Sequence, residues 1–205
     1  MPVPRTLLAS LVVVAVGGAV LTAATDRLQA FTTETARRAA VRQHPVPIPA
    51  VTLQTQSGAR IDFTALRGKW LLVDFIYTRC ATYCAALGGE FAQLQRQLAA
   101  PLAQGRLQLL SLSFDPVHDT PARLETWLQR SGGNGDGWLA ARPVDAAGLE
   151  RLTQAFGVTV IPDAFGGYTH NAAVEIVNPQ GRLVRILDWN DPAHAARIIL
   201  QDMNR

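Results

Sequence analysis

The sequence predicts an α/β domain carried behind an N-terminal membrane helix, and three observations carry that reading. Trp70-Leu71-Leu72-Val73-Asp74-Phe75-Ile76-Tyr77 is a nearly continuous apolar and aromatic run of strand length, suited to burial on both faces. Helical periodicity follows it directly, with Leu87, Phe91, Leu94 and Leu98 at spacings of three and four. A second apolar run, Leu107 to Phe114, comes after Gly105, so strand, helix and strand form a unit that implies a parallel pair. The two cysteines of the sequence, Cys80 and Cys84, stand where the first strand feeds the helix.

At 205 residues, 48% of them apolar and 17% charged, the chain can bury one sizeable core. A net charge of +3 with no basic block and no basic stripe interleaved with aromatics argues against nucleic-acid binding. Thr6 to Thr25 is twenty residues without a charge, enough to cross a bilayer core of about 30 Å as a helix. A cleaved signal usually has a shorter apolar run of about 7–15 residues. Residues 1–25 are therefore expected as a retained anchor, with cleavage near Ala23 and Ala24 as the competing reading. More basic residues follow this run than precede it, but large domains translocate regardless of such charges.

Residues 26–50 are expected as a stalk and linker: Ala36 to Arg42 extends a helix, and His44-Pro45-Val46-Pro47-Ile48-Pro49 then stops it as a stiff spacer. The domain is expected over 51–205. Val51-Thr52-Leu53 and Ala59 to Phe63 flank Gln56-Ser57-Gly58 as a hairpin. Thr120 caps a helix with Pro121 at its first position, and Leu124, Trp127 and Leu128 form its buried face. Trp138 to Ala141 reads as a short strand. Asp145 caps the next helix, which carries Leu149, Leu152 and Phe156 and closes at Gly157. Ile161 to Tyr168 reads as an irregular loop that delivers His170 just before the strand Ala173 to Val177. Asn178-Pro179-Gln180-Gly181 is a turn, Arg182 to Leu187 is its partner strand, and Asp191-Pro192 starts a terminal helix. His44, His118 and His194 read as solvated residues. This order of elements is the layout of a thioredoxin-like domain.

The cysteine pair sits where chemistry is favoured. If the helix began near Cys80, residues four apart would share a face, and its amino end would favour thiolate over thiol. A structural disulfide is the competing reading, but closing so small a loop constrains the unfolded chain little. Thiol exchange or a soft metal ion is the better use. A three-residue spacer differs from the Cys-x-x-Cys of dedicated redox proteins.

The chain resembles the Sco/SenC family of copper chaperones over about Val51 to Arg205. The resemblance rests on Asp74-Phe75-Ile76-Tyr77-Thr78-Arg79-Cys80-x-x-x-Cys84, on Phe114-Asp115-Pro116-x-x-Asp119-Thr120-Pro121, and on Tyr168-Thr169-His170 before the hairpin. It implies copper bound by Cys80, Cys84 and His170, the histidine standing 86 positions after the second cysteine. It also implies a role in assembling the dinuclear copper centre of cytochrome c oxidase, by delivering copper to its copper-binding subunit or reducing that subunit's cysteines. An inner-membrane, single-pass location with the domain on the periplasmic or extracytoplasmic side goes with this reading. Ala81 and Ala85 stand where family members usually have proline, and Thr169 where they have aspartate. Two thiolates and an imidazole form a soft set that suits Cu(I) and can also hold Cu(II). The alternative is a thiol-disulfide reductase of the exported compartment in which Cys80 and Cys84 are a redox pair and His170 only tunes them.

Overall fold

The computed structural model describes residues 5–24, 32–80, 83–133, 137–164 and 166–205; the side chains of 5, 6, 24 and 83–85 fall outside the description. The chain divides into two compact units, Met1–Gln43 and His44–Arg205. In the first, α1 spans Arg5–Ala24, and the side chains described in it, 7–23, are all exposed. Among the described residues no helix is long and apolar enough to cross a membrane. The expected helical extension is a separate helix, α2 (Thr33–Gln43). Its start is capped by Thr32, whose Oγ1 accepts the Thr35 N–H at 3.1 Å. Glu34 then holds Arg37 and Arg38 at 3.0 and 2.9 Å, at helical spacings of three and four.

The second unit is a thioredoxin-like α/β domain around an eight-stranded mixed sheet. Its strands are β1 (Val46–Pro47), β2 (Thr52–Thr55), β3 (Arg60–Asp62), β4 (Trp70–Ile76), β5 (Leu107–Ser113), β6 (Trp138–Pro143), β9 (Val174–Val177) and β10 (Arg182–Leu187). They lie in the order β1-β10-β9-β4-β5-β6-β2-β3. β4, β5 and β6 are parallel, as the strand-helix-strand order requires, and β9 lies antiparallel on the other side of β4. The apolar run of β4 is legible because the strand is central: its six residues from Leu71 to Ile76 are all buried.

Side chains alternate across β4, so Leu72, Asp74 and Ile76 face one layer and Leu71, Val73 and Phe75 the other. The first layer holds α3 (Tyr83–Gln97), α5 (Pro121–Arg130) and α7 (Pro192–Met203). There Leu87, Phe91, Leu94, Trp127 and Ile199 pack with Leu72, Ile76 and Trp138. On the second, Phe156 of α6 (Ala146–Phe156) lies 5.4 Å from Phe75 and 6.0 Å from Phe63, ring centre to ring centre. A short helix, α4 (Ala99–Ala103), leads into β5. The caps read from the sequence are formed: Thr120, Asp145 and Asp191 accept backbone N–H bonds, and Gly157 takes the left-handed conformation at the end of α6.

Two stretches differ from expectation. Residues 45–48, expected within the spacer, join the sheet: β1 pairs with β10, and the Ile48 N–H donates to Gly181 at 2.9 Å. Pro47 is tolerated because this strand lies at the sheet edge, where no ladder donor is missed. The loop 161–168 contains half of a second, two-stranded sheet, β7 (Val160–Pro162) against β8 (Tyr168–His170). Strands of three residues are too short to show a period, so the sequence reads as irregular there.

Candidate functional site

At the end of β4 the chain passes through Tyr77, Thr78 and Arg79 to Cys80, whose N–H donates to the Tyr77 carbonyl at 3.3 Å. Cys80 is half-buried and precedes the helix, because α3 begins at Tyr83. Cys80 itself is not helical and Cys84 lies in the first described turn of α3, its side chain outside the described residues, so whether the two sulfurs share a face lies outside the description. Residues 81 and 82 are outside it as well.

The loop that carries Cys80 is held by two carboxylates that follow β5. Asp119, fully buried, accepts the Thr78 N–H at 3.1 and 3.2 Å, the Thr78 hydroxyl at 2.6 Å and the Ser113 hydroxyl at 2.6 Å. Three donors, one of them shared between both oxygens, compensate the desolvation of this buried carboxylate. Asp115 accepts from Arg79 Nη2 at 2.9 Å and stands 2.8 Å from Nδ1 of His118. His118 is exposed, as expected, but it is tied to Asp115 rather than merely solvated. His194 sits in the first turn of α7 with its Nδ1 2.9 Å from Arg197.

His170 arrives at the same end of the sheet from a different direction. Its strand β8 is fastened by Tyr77, whose hydroxyl accepts the Tyr168 N–H at 3.2 Å and donates to the Tyr168 carbonyl at 3.4 Å. Beyond it, Asn171 accepts the Thr159 N–H at 2.7 Å and donates to the Gly157 carbonyl at 3.0 Å. The Tyr77, Phe114 and Tyr168 rings lie 5.2 to 5.6 Å apart, and the His170 ring lies 5.0 Å from Phe114, tilted 60° to it. Thus His170 packs on Phe114, the residue that follows β5, while Cys80 lies on the loop that follows β4, the strand next to β5. Burial holds the His170 pKa below its ordinary value, so the ring is neutral, and its buried Nδ1 has no hydrogen-bond partner. A neutral imidazole with an unsatisfied nitrogen is a competent soft-metal ligand. Among the described residues no group of three or more His, Cys, Asp or Glu side chains is arranged to hold a metal.

The sequence reading passed over several residues that shape this end of the sheet. Asp115, Asp119 and Tyr77 appear in it only as letters of motifs; the signal was the Asp-x-x-x-Asp-Thr spacing directly after an apolar strand. One further carboxylate is buried below the site. Asp74 on β4 is fully buried among apolar residues, opposite Ser111 in register, and neither of its oxygens has a hydrogen-bond partner. Burial pushes its pKa up to about 8, with the Ser111 hydroxyl acting weakly in the other direction.

The chain is similar to known proteins. The family model for SCO1/SenC matches residues 42–204. A Stutzerimonas stutzeri protein whose name proposes copper binding is 30% identical over 142 residues, 66% of each chain. The SCO1 protein homolog of Bacillus subtilis is 26% identical over 141 residues, 68% of this chain and 71% of that one. The chain thus spans about two thirds of the length of these relatives. Among solved structures, a SCO1/SenC family lipoprotein of Bacillus anthracis superposes with a TM-score of 0.69 at 21% identity, covering 80% of this chain and 97% of that one. Yeast Sco1 with copper bound superposes with a TM-score of 0.63 at 20% identity, covering 77% and 88%. The family model covers the whole sheet together with both cysteines and His170, so the chain belongs to the SCO1/SenC family.

Proposed function

We propose that this protein is a membrane-anchored copper-binding protein in which Cys80, Cys84 and His170 hold the metal, and that it serves the dinuclear copper site of cytochrome c oxidase. Copper is here the cargo. The observation that carries the reading is His170: a half-buried, neutral imidazole whose buried Nδ1 has no partner, on a strand fastened by Tyr77, just past the end of β4 from which the Cys80 loop emerges. Relatives supply the rest. Yeast Sco1 has been solved with copper bound, and BsSco, in which a disulfide switch has been identified, is a member of the Sco family of cytochrome c oxidase assembly proteins. The partner is the copper-binding subunit of the oxidase or another copper protein, reached by delivering copper to it or by reducing its cysteines. The proposed anchor is residues 1–25: α1 as described is not by itself long and apolar enough to cross a membrane, but its side chains 7–23 are all exposed, with Leu7, Leu11, Val14 and Val20 more than half so. A helix apolar all round fits lipid better than water. The domain then lies on the periplasmic or extracytoplasmic side of the inner membrane.

The test is a titration of the reduced protein with Cu(I) against a competing chelator. His170→Ala is expected to weaken binding at least tenfold in a folded domain, while Cys80→Ser and Cys84→Ser each abolish it, a hydroxyl being a far harder ligand than a thiolate. Wild-type affinity in His170→Ala would replace the three-ligand site by a dithiol reductase in which the histidine only tunes the sulfurs.

A further inference from the structure

A cleft of about 580 Å³ opens beside Cys80, between the loop after β4 and the outer face of α5. Arg123, Thr126, Trp127 and Arg130 line it from α5 at spacings of three and four, so they form one stripe of that helix. Arg79 lines it from the cysteine loop. Among the described residues, three guanidinium groups thus border the space and no carboxylate does. Arg79 is partly neutralised by Asp115 at 2.9 Å. Arg123 donates to a neutral acceptor, the His118 carbonyl at 3.0 Å, and has no ion pair among the described residues. Arg130 is exposed and has no ion pair among the described residues. Trp127, 7% exposed, closes the floor with an aromatic surface.

From this arrangement we infer that the cleft docks an acidic segment of the partner polypeptide on which Cys80 acts. Guanidinium groups grip carboxylates with paired hydrogen bonds, and two uncompensated ones about two helical turns apart ask for more than one carboxylate. The volume lies within the range of about 300–1,000 Å³ typical of ligand sites and holds a few peptide residues. A segment seated on Arg123 and Arg130 brings its own neighbouring cysteine against the wall that Cys80 forms. The inference rests on the proposed function, in naming what its partner carries, but it is tested without copper.

The probe is a pair of synthetic peptides, acetyl-Glu-Glu-Cys-Glu-Gly-amide and its Gln-for-Glu counterpart, each with its cysteine capped by 2-thiopyridine as a mixed disulfide. A protein thiolate attacks the peptide sulfur; the protein–peptide disulfide forms and the peptide–thiopyridine bond breaks. Its electron pair leaves with 2-thiopyridone, which takes a proton from water and absorbs light. With the reduced full chain in detergent at low salt, the acidic peptide is expected to react about tenfold faster than the neutral one, and added salt should bring the ratio towards one. Arg123→Gln with Arg130→Gln should reduce the ratio to within about twofold, and Arg123→Lys with Arg130→Lys should keep an intermediate value. The Cu(I) affinity of the Gln variant should equal that of the wild type. A wild-type ratio near one, or a ratio undiminished in the folded Gln variant, overturns the inference. Loss of the copper site with the peptide ratio intact would instead count against the copper reading alone.

Discussion

At the scale of single residues, Asp74 has the largest energetic consequence. An ordinary aspartate loses its proton near pH 3.8, whereas in the fold this one keeps it to about pH 8. Between those values the folded state holds a proton that the unfolded chain has released, so raising the pH destabilises the fold. The slope is at most about 1.4 kcal/mol per pH unit, and the loss is complete above the folded pKa. Asp74→Asn keeps the shape and removes the titration. Urea unfolding of wild type and variant at pH 5, 6, 7 and 8 should show the variant gaining steadily on the wild type with pH; parallel stabilities would mean that the carboxyl is already charged in the native state. The same residue shows what a sequence conceals. Asp74 interrupts an apolar run and looks like a tolerated polar position, because neither its burial nor its missing partner is a local property.

At the scale of elements, α3 and α5 meet through a missing side chain. A Cβ on Gly88 would lie 2.3 Å from Ser131 Oγ, 2.7 Å from Ser131 Cβ and 3.3 Å from the Trp127 ring. Helix propensity alone favours Gly88→Ala by about 1 kcal/mol. Overpacking opposes it with about 1–3 kcal/mol, and because Ser131 is displaced from both its Oγ and its Cβ, overpacking should win. Ser131→Gly in the same chain removes both of the nearest atoms and should recover most of the loss, read as the coupling energy of a double-mutant cycle by chemical denaturation. Stability unchanged in Gly88→Ala would show that the two helices separate freely at this point. How much was legible follows the same division. The central strands could be read because they are long and buried, and α5, α6 and α7 because Thr120, Asp145 and Asp191 announce them. β1, β7 and β8 could not, since two or three residues carry no period. The carboxylate brace was hidden for another reason: Asp119 reads as a loop aspartate until Thr78, 41 positions earlier, is folded onto it. Arg123 and Arg130 read as the wet side of a helix, and only the Cys80 loop opposite makes a cleft of them.

At the scale of the whole molecule, the division between Gln43 and His44 makes a claim about autonomy. A fragment beginning at His44 contains every strand of the sheet and should fold alone, with the thermal midpoint of the full chain, and should stay in the aqueous phase of a detergent partition that takes the full chain with the detergent. A fragment beginning at Val51, the boundary the sequence suggested, loses β1, the Ile48 N–H bond to Gly181, and the 2.5 Å bond from Arg182 to the Pro45 carbonyl. It also exposes the apolar surface against which Ile48, only 4% exposed, is packed. Full burial of one such side chain contributes about 1.5–3 kcal/mol, so the shorter fragment should be less stable by about 2 kcal/mol or more. Urea unfolding of the two fragments decides this. Equal stability would return residues 44–50 to the role of a spacer. A His44 fragment that melts well below the full chain would show that the first unit supports the second.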